Sequence, residues 1–145
     1  MISALLVLGI SVVVGTIVHE LSHAVALRSF DIPHVVRWFP DRDESGSLSM
    51  GLRGRWAMVT YGSVPASVDP WKLQVAAMMP LTMTVPVIVV YQGLIPMGAI
   101  DGNLMVSFAI IGWLACAIPS PADFAIFWHP EESIDKATDT TAPTP

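Results

Sequence analysis

From residue 1 to residue 27 the chain carries one charged side chain, Glu20, in a run otherwise dominated by Leu, Val and Ile. Few environments accept such a segment. As a helix it would be about 40 Å long, enough to cross a roughly 30 Å hydrocarbon core with some tilt. Lipid offers the backbone no hydrogen-bonding partner, so a run of this kind must satisfy its own polar groups as a helix. Two further stretches have the same character. Residues 73–100 hold no charged residue, and residues 104–128 hold only Asp123. Apolar residues make up 53% of the chain and charged residues 13%, about half the charge usual in a soluble domain. The expectation is a mainly α-helical membrane protein with three transmembrane helices. Its 145 residues allow one domain, expected over residues 1–130. Residues 131–145 are acidic and rich in Thr and Pro, and are expected to form a disordered tail.

The first run has no Lys or Arg ahead of it and is too long for the apolar core of a signal peptide, so it is read as retained. Residues 28–72 differ in kind. They hold Arg28, Arg37, Arg42, Arg53, Arg55 and Lys72, together with Asp31, Asp41, Asp43, Glu44 and Asp69. Residues 34–39 are β-branched and aromatic, bounded by Pro33 and Pro40, and residues 41–46 read as a polar turn. Leu48, Met50 and Leu52 then alternate with Ser47, Ser49 and Gly51, and residues 56–61 follow Gly54. Such a pattern predicts a small amphipathic β-sheet or hairpin at the membrane surface, between the first and second spans. Pro80, Pro86 and Pro96 interrupt the second run, predicting a broken or kinked helix over residues 73–91 and a turn over 92–103.

Clustering of basic residues in the 28–72 segment places it in the cytoplasm. Three spans then leave the N-terminus and the turn at Asp101 outside and the tail inside, in an integral protein of the cell membrane. The first and third spans both meet the cytoplasmic face at their C-terminal ends. His23 and Asp123 therefore fall at similar depth, about two helical turns in. A net charge of −5 makes nucleic acid a poor partner. With Cys116 as the one cysteine, an internal disulfide and a Cys-based zinc knuckle are excluded, and its apolar surroundings suit a small buried hydrophobe.

The chemistry lies in His19-Glu20-Leu21-Ser22-His23, near the end of the first run. Residues four apart share a helix face, so His19 and His23 can present two imidazoles to one metal ion. Glu20 projects about 100° further round, where it can reach a water activated at the metal and act as general base. Zinc held by three protein ligands keeps a fourth position for that water. Two His and a Glu inside a bilayer are expensive, and intramembrane ionisable residues mark function. Ser11, Gly15, His19, Ser22 and Ala26 form a small and polar face that would let another membrane helix approach closely.

A third ligand must come from elsewhere. Outside the tail the acids are Asp31, Asp41, Asp43, Glu44, Asp69, Asp101 and Asp123. Asp101 belongs to the opposite side of the membrane, and all the others except Asp123 belong to the polar segment. Asp123 alone combines an apolar setting with the right depth. Pro119 and Pro121 break the helix above it and would let its carboxylate swing inward. It could also cap a short helix starting at Phe124, a role compatible with metal binding. His34 is an alternative ligand, although a surface strand residue is the plainer reading, and His129 is expected to be interfacial and solvated.

This motif in a first membrane helix, with a Pro-x-x-x-Asp element near the cytoplasmic end of a third, resembles the site-2 protease family of intramembrane zinc metalloproteases. The likeness spans nearly the whole chain at the level of topology and motif. It implies a three-helix catalytic core in which His19, His23 and Asp123 bind one Zn2+ and Glu20 activates water. Its substrates would be membrane-anchored proteins, cut within or beside their transmembrane segments and presented by strand addition to the membrane-associated sheet. The third-helix run Ile118-Pro119-Ser120-Pro121-Ala122-Asp123-Phe124 departs from the family pattern, with no Asn before the Pro and Phe124 in place of Gly. A competing expectation is a catalytically inactive metal-binding homologue serving as a membrane interaction or regulatory protein. Retention of Glu20 argues against it, since a purely structural metal site needs no acid there. A proton or metal conduit would need more polar residues along its path than Ser3, Ser11 and Thr16.

Overall fold

The computed structural model describes residues 1–38, 57–61, 68–93, 102–132 and 134, and these are mainly helical. Three helical stretches, Ile2–Ser29, Pro70–Tyr91 and Leu104–Trp128, are long and apolar enough to cross a membrane. Their outward faces carry Ile2, Leu6, Ile10, Val25, Ile88 and Ile111, all exposed, as helices facing lipid require.

The first span is the single helix α1, Ile2–Ser29. It stops because Asp31 turns into the left-handed region at φ 55°. The N–H of Ile32 then reaches back to the Leu27 carbonyl at 2.9 Å and that of Asp31 to the Arg28 carbonyl at 3.1 Å. This double closure satisfies the last carbonyls and folds Ile32 onto the helix end. Ile32 joins Ala26, Leu27, Leu73 and Ala76 in the main buried cluster, which fixes α1 against the second span.

Two short strands follow, β1 (His34–Trp38) and β2 (Ala57–Tyr61). They pair antiparallel, with His34 opposite Tyr61 and Trp38 opposite Ala57, and lie beside α1. Residues 39–56 join them and lie outside the described residues, as does the alternating stretch Leu48–Leu52. The same holds for residues 94–101 of the expected turn, Asp101 included.

The second span begins three residues earlier than expected. It runs as α2 (Pro70–Met78), a 3-10 segment (Met79–Met83) and α3 (Thr84–Tyr91). Proline fits the first helical position, where its missing N–H is not needed, so Pro70 starts α2. Pro80 has the opposite effect. It cannot donate to the Ala76 carbonyl, and the Met79 N–H bonds to that carbonyl instead, tightening the helix into its 3-10 segment. On the third span, the Trp113 indole N–H donates to the Met83 carbonyl at 2.7 Å, satisfying a backbone group at the end of this segment.

The third span is likewise broken, into α4 (Leu104–Ala117) and α5 (Pro121–Trp128). A residue preceding proline avoids the helical region, and Ile118 before Pro119 is extended at ψ 124°. Two close approaches set α4 on α1. A Cβ on Gly15 would fall 2.8 Å from that of Cys116, and one on Gly112 would lie 3.1 Å from the Leu8 carbonyl oxygen. The Ser11 hydroxyl donates across this contact to the Ala109 carbonyl at 2.7 Å. The small and polar face of α1 is therefore divided. Ser11, Gly15 and His19 meet the third span, while Ala26 packs into the cluster shared with α2. The Gln74 side-chain amide donates to the Phe127 carbonyl at 3.0 Å and ties α2 to α5. Beyond α5, residues 130–132 and Ile134 are helical, and Ile134 packs against the main cluster. The rest of the expected tail lies outside the described residues.

Candidate metal centre

His19 and His23 stand one turn apart on α1, as their spacing requires, and Asp123 approaches them from the start of α5. The two Nε2 atoms are 3.2 Å apart. Asp123 Oδ1 lies 3.3 Å from Nε2 of His23, and Asp123 Oδ2 lies 3.6 Å from Nε2 of His19. None of the three side chains is more than 12% exposed. Among the described residues, these three form the one group of His, Cys and acidic side chains that could hold a metal ion.

The backbone around the site determines how the imidazoles are protonated. Nδ1 of His19 lies 2.7 Å from the Cys116 carbonyl, and Nδ1 of His23 lies 2.8 Å from the Ala76 carbonyl. A carbonyl can only accept, so each ring carries its proton on Nδ1 and donates it there. A ring with its one proton at Nδ1 presents a bare lone pair at Nε2. Two such lone pairs and a carboxylate thus converge on one small volume, an arrangement that calls for a metal cation or a proton among them. The separations suit zinc. Tetrahedral ligands at a Zn–N distance of about 2.05 Å stand roughly 3.3 Å from one another, against 3.2, 3.3 and 3.6 Å here. Metal-ligating histidines ordinarily donate their second ring N–H to a carbonyl or carboxylate, and both do so here.

Asp123 is held as firmly. The Ser120 N–H donates to Asp123 Oδ2 at 2.6 Å, and the Asp123 N–H donates to Ser120 Oγ at 3.2 Å. Such a reciprocal pair is a capping box, with Ser120 as the N-cap and Asp123 three residues on. This corrects the expected cap. The short helix starts at Pro121 rather than Phe124, and Ser120 takes the cap position because its hydroxyl reaches the Asp123 N–H. The Ser-x-x-Asp spacing was legible as a capping box in the sequence. It also leaves Asp123 Oδ1 facing His23.

Glu20 is half-buried on α1, outside the three-residue group. The alternative ligand His34 is not brought to the site. It opens β1 with its Nδ1 2.9 Å from the Ile32 carbonyl. His129 is exposed and lies 3.8 Å from Glu132. Cys116 is half-buried at the α1 contact, with its Sγ 3.4 Å from the Val12 carbonyl oxygen. Two participants had no side-chain signature in the sequence, the carbonyls of Ala76 and Cys116. Comparison with protein-family models, with curated proteins and with solved structures gave no match.

Proposed function

We propose that this chain is an intramembrane zinc endopeptidase, hydrolysing peptide bonds in or beside the transmembrane segments of membrane-anchored proteins, as in the site-2 protease family it resembles. The observation that carries this reading is the meeting of His19, His23 and Asp123, separated by about a hundred residues of chain, with both Nε2 lone pairs and a carboxylate turned to one point. His19, His23 and Asp123 would hold the ion. When bound, zinc supplies Lewis-acid chemistry, making water a nucleophile near neutral pH and polarising a carbonyl. Glu20, next to His19 on the same helix, would take the proton from the attacking water and pass it to the leaving amine. The Cys116 and Ala76 carbonyls keep the two imidazoles in the Nδ1–H tautomer, and the Ser120 N–H aims the Asp123 carboxylate. The β1–β2 pair beside α1 offers backbone to which an extended substrate segment could add as a strand. The basic residues between the first two spans put the site toward the cytoplasmic face of the cell membrane, with the N-terminus outside.

Co-expression with a tagged single-span substrate tests the reading. Wild type should shorten the substrate and Glu20→Gln should not, while both carry about one zinc per chain. A general base contributes on the order of 10²- to 10⁴-fold to rate, so the difference should be plain on a gel. Equal processing by both would leave the inactive metal-binding membrane protein as the better description.

A further inference from the structure

Both histidines are oriented by carbonyls that a regular helix would have used itself. In an α-helix each carbonyl accepts from the N–H four residues on. For Ala76 that residue is Pro80, which has no N–H. The Ala76 carbonyl accepts from Met79 instead, in the tighter 3-10 geometry, and in that orientation its second lone pair receives Nδ1–H of His23 at 2.8 Å. For Cys116 the helical donor would be Ser120. Pro119 holds Ile118 extended and carries Ser120 away, so the hydrogen bond of a continuous helix is divided between two ligands. Its acceptor half, the Cys116 carbonyl, takes Nδ1–H of His19 at 2.7 Å. Its donor half, the Ser120 N–H, goes to Asp123 Oδ2 at 2.6 Å.

We propose that Pro80 and Pro119 are positioning residues of the metal centre, each interrupting the regular hydrogen bonding of one membrane span so that its backbone groups orient the metal ligands. The assignment rests on the metal-binding reading above. Pro80 serves His23 alone, whereas Pro119 serves His19 and Asp123 together. Pro86 lies in the same span, in the first turn of α3, yet it is exposed and no ligand depends on it. It is the natural control.

The test uses full-length protein in nanodiscs with ¹⁵N-labelled histidine, of which the chain has 4. Long-range ¹H–¹⁵N spectra report the tautomer of each ring, and zinc affinity is read by competition with a chelating dye. Wild type should show His19 and His23 both protonated at Nδ1, with and without zinc. Pro80→Ala restores a backbone donor to Ala76 and should move the His23 signals while leaving His19 in place. Pro119→Ala should move His19 at Nδ1 and leave Nδ1 of His23 in place, with His23 affected only at Nε2, where it faces Asp123. Each should weaken zinc binding roughly ten- to a hundredfold, the usual effect of losing an outer-shell partner, and Pro86→Ala should change neither readout. The proposal is overturned if either ring of the zinc-loaded wild type carries its proton at Nε2 in place of Nδ1, an outcome that needs no variant to fold. It is equally overturned if both variants keep full affinity with unmoved signals, or if each disturbs the two rings alike, as general loosening would. A wild type showing both Nδ1–H tautomers but taking up no zinc would also overturn it, and would locate the failure in the metal reading rather than in the hydrogen bonds.

Discussion

Asp123 has two tasks on one carboxylate. Oδ2 closes the capping box of α5 through the Ser120 N–H, and Oδ1 faces Nε2 of His23. Asn at this position keeps an acceptor for the cap but loses the charge that balances a cation. Asp123→Asn should therefore retain native helicity by circular dichroism, with zinc content falling well below half of wild type by elemental analysis. Full zinc content in this variant would remove Asp123 from the ligand set. Ser120→Ala separates the two tasks. It deletes the Oγ acceptor worth about 1 kcal/mol to the helix start, yet keeps the backbone N–H that aims Oδ2. A modest fall in thermal stability with zinc retained is expected, measured on the same two instruments.

Helix α1 brings the ligands into range only because it lies very close to α4. At Gly15 a Cβ would stand 2.8 Å from the Cys116 Cβ and 2.9 Å from its Sγ, less than real Cβ contacts allow. His19 is one turn below Gly15, and its imidazole bonds to the carbonyl of that same Cys116. Gly15→Ala should therefore push α1 and α4 apart and weaken zinc binding at a distance, through a residue that touches no metal. Cys116→Gly removes the opposing Cβ, at a helix-propensity cost of about 1 kcal/mol. Combined with Gly15→Ala, it should recover most of the lost affinity. A double variant no better than Gly15→Ala alone would show that separation of the helices is not the cause. Membrane helices gain nothing from exchanging lipid for one another's apolar surface, so close packing and hydrogen bonds such as Ser11 to Ala109 must hold the pair.

On the scale of the whole molecule, the centre joins all three spans, adding to the packing and hydrogen bonds already between them. Its side chains come from the first and third spans, and the second contributes the Ala76 carbonyl. A metal held there links all three. A ligand that binds only the folded state stabilises it by about 4 kcal/mol at a thousandfold excess over Kd. Chelation should thus lower the thermal midpoint of the detergent-solubilised protein markedly, and added zinc should restore it. His23→Ala should abolish this response. A midpoint indifferent to chelation would argue against a metal as part of the structure.

Three charge-poor runs and the bilayer's demand for internal hydrogen bonding were enough to determine three helices, and the His19–His23 spacing determined that two imidazoles share one face. Charge asymmetry and residue counting also led to the expectation that Asp123 lies at the depth of His23, and its carboxylate is found 3.3 Å from that ring. The expected cap at Asp123, before Phe124, misplaces the start of α5, although a Ser-x-x-Asp pattern marks Ser120 as the cap. What the sequence left open were contacts between backbone atoms of one span and side chains of another. Every residue carries a carbonyl, so nothing in the letters Ala76 or Cys116 marks these two as partners. A proline further along each span denies the carbonyl its usual helical geometry, but only the close seating of α1 against α2 and α4 brings His23 and His19 within 2.8 and 2.7 Å of them. The sequence determined which atoms could bind a metal. The tertiary structure decided which lone pairs were left free to do so.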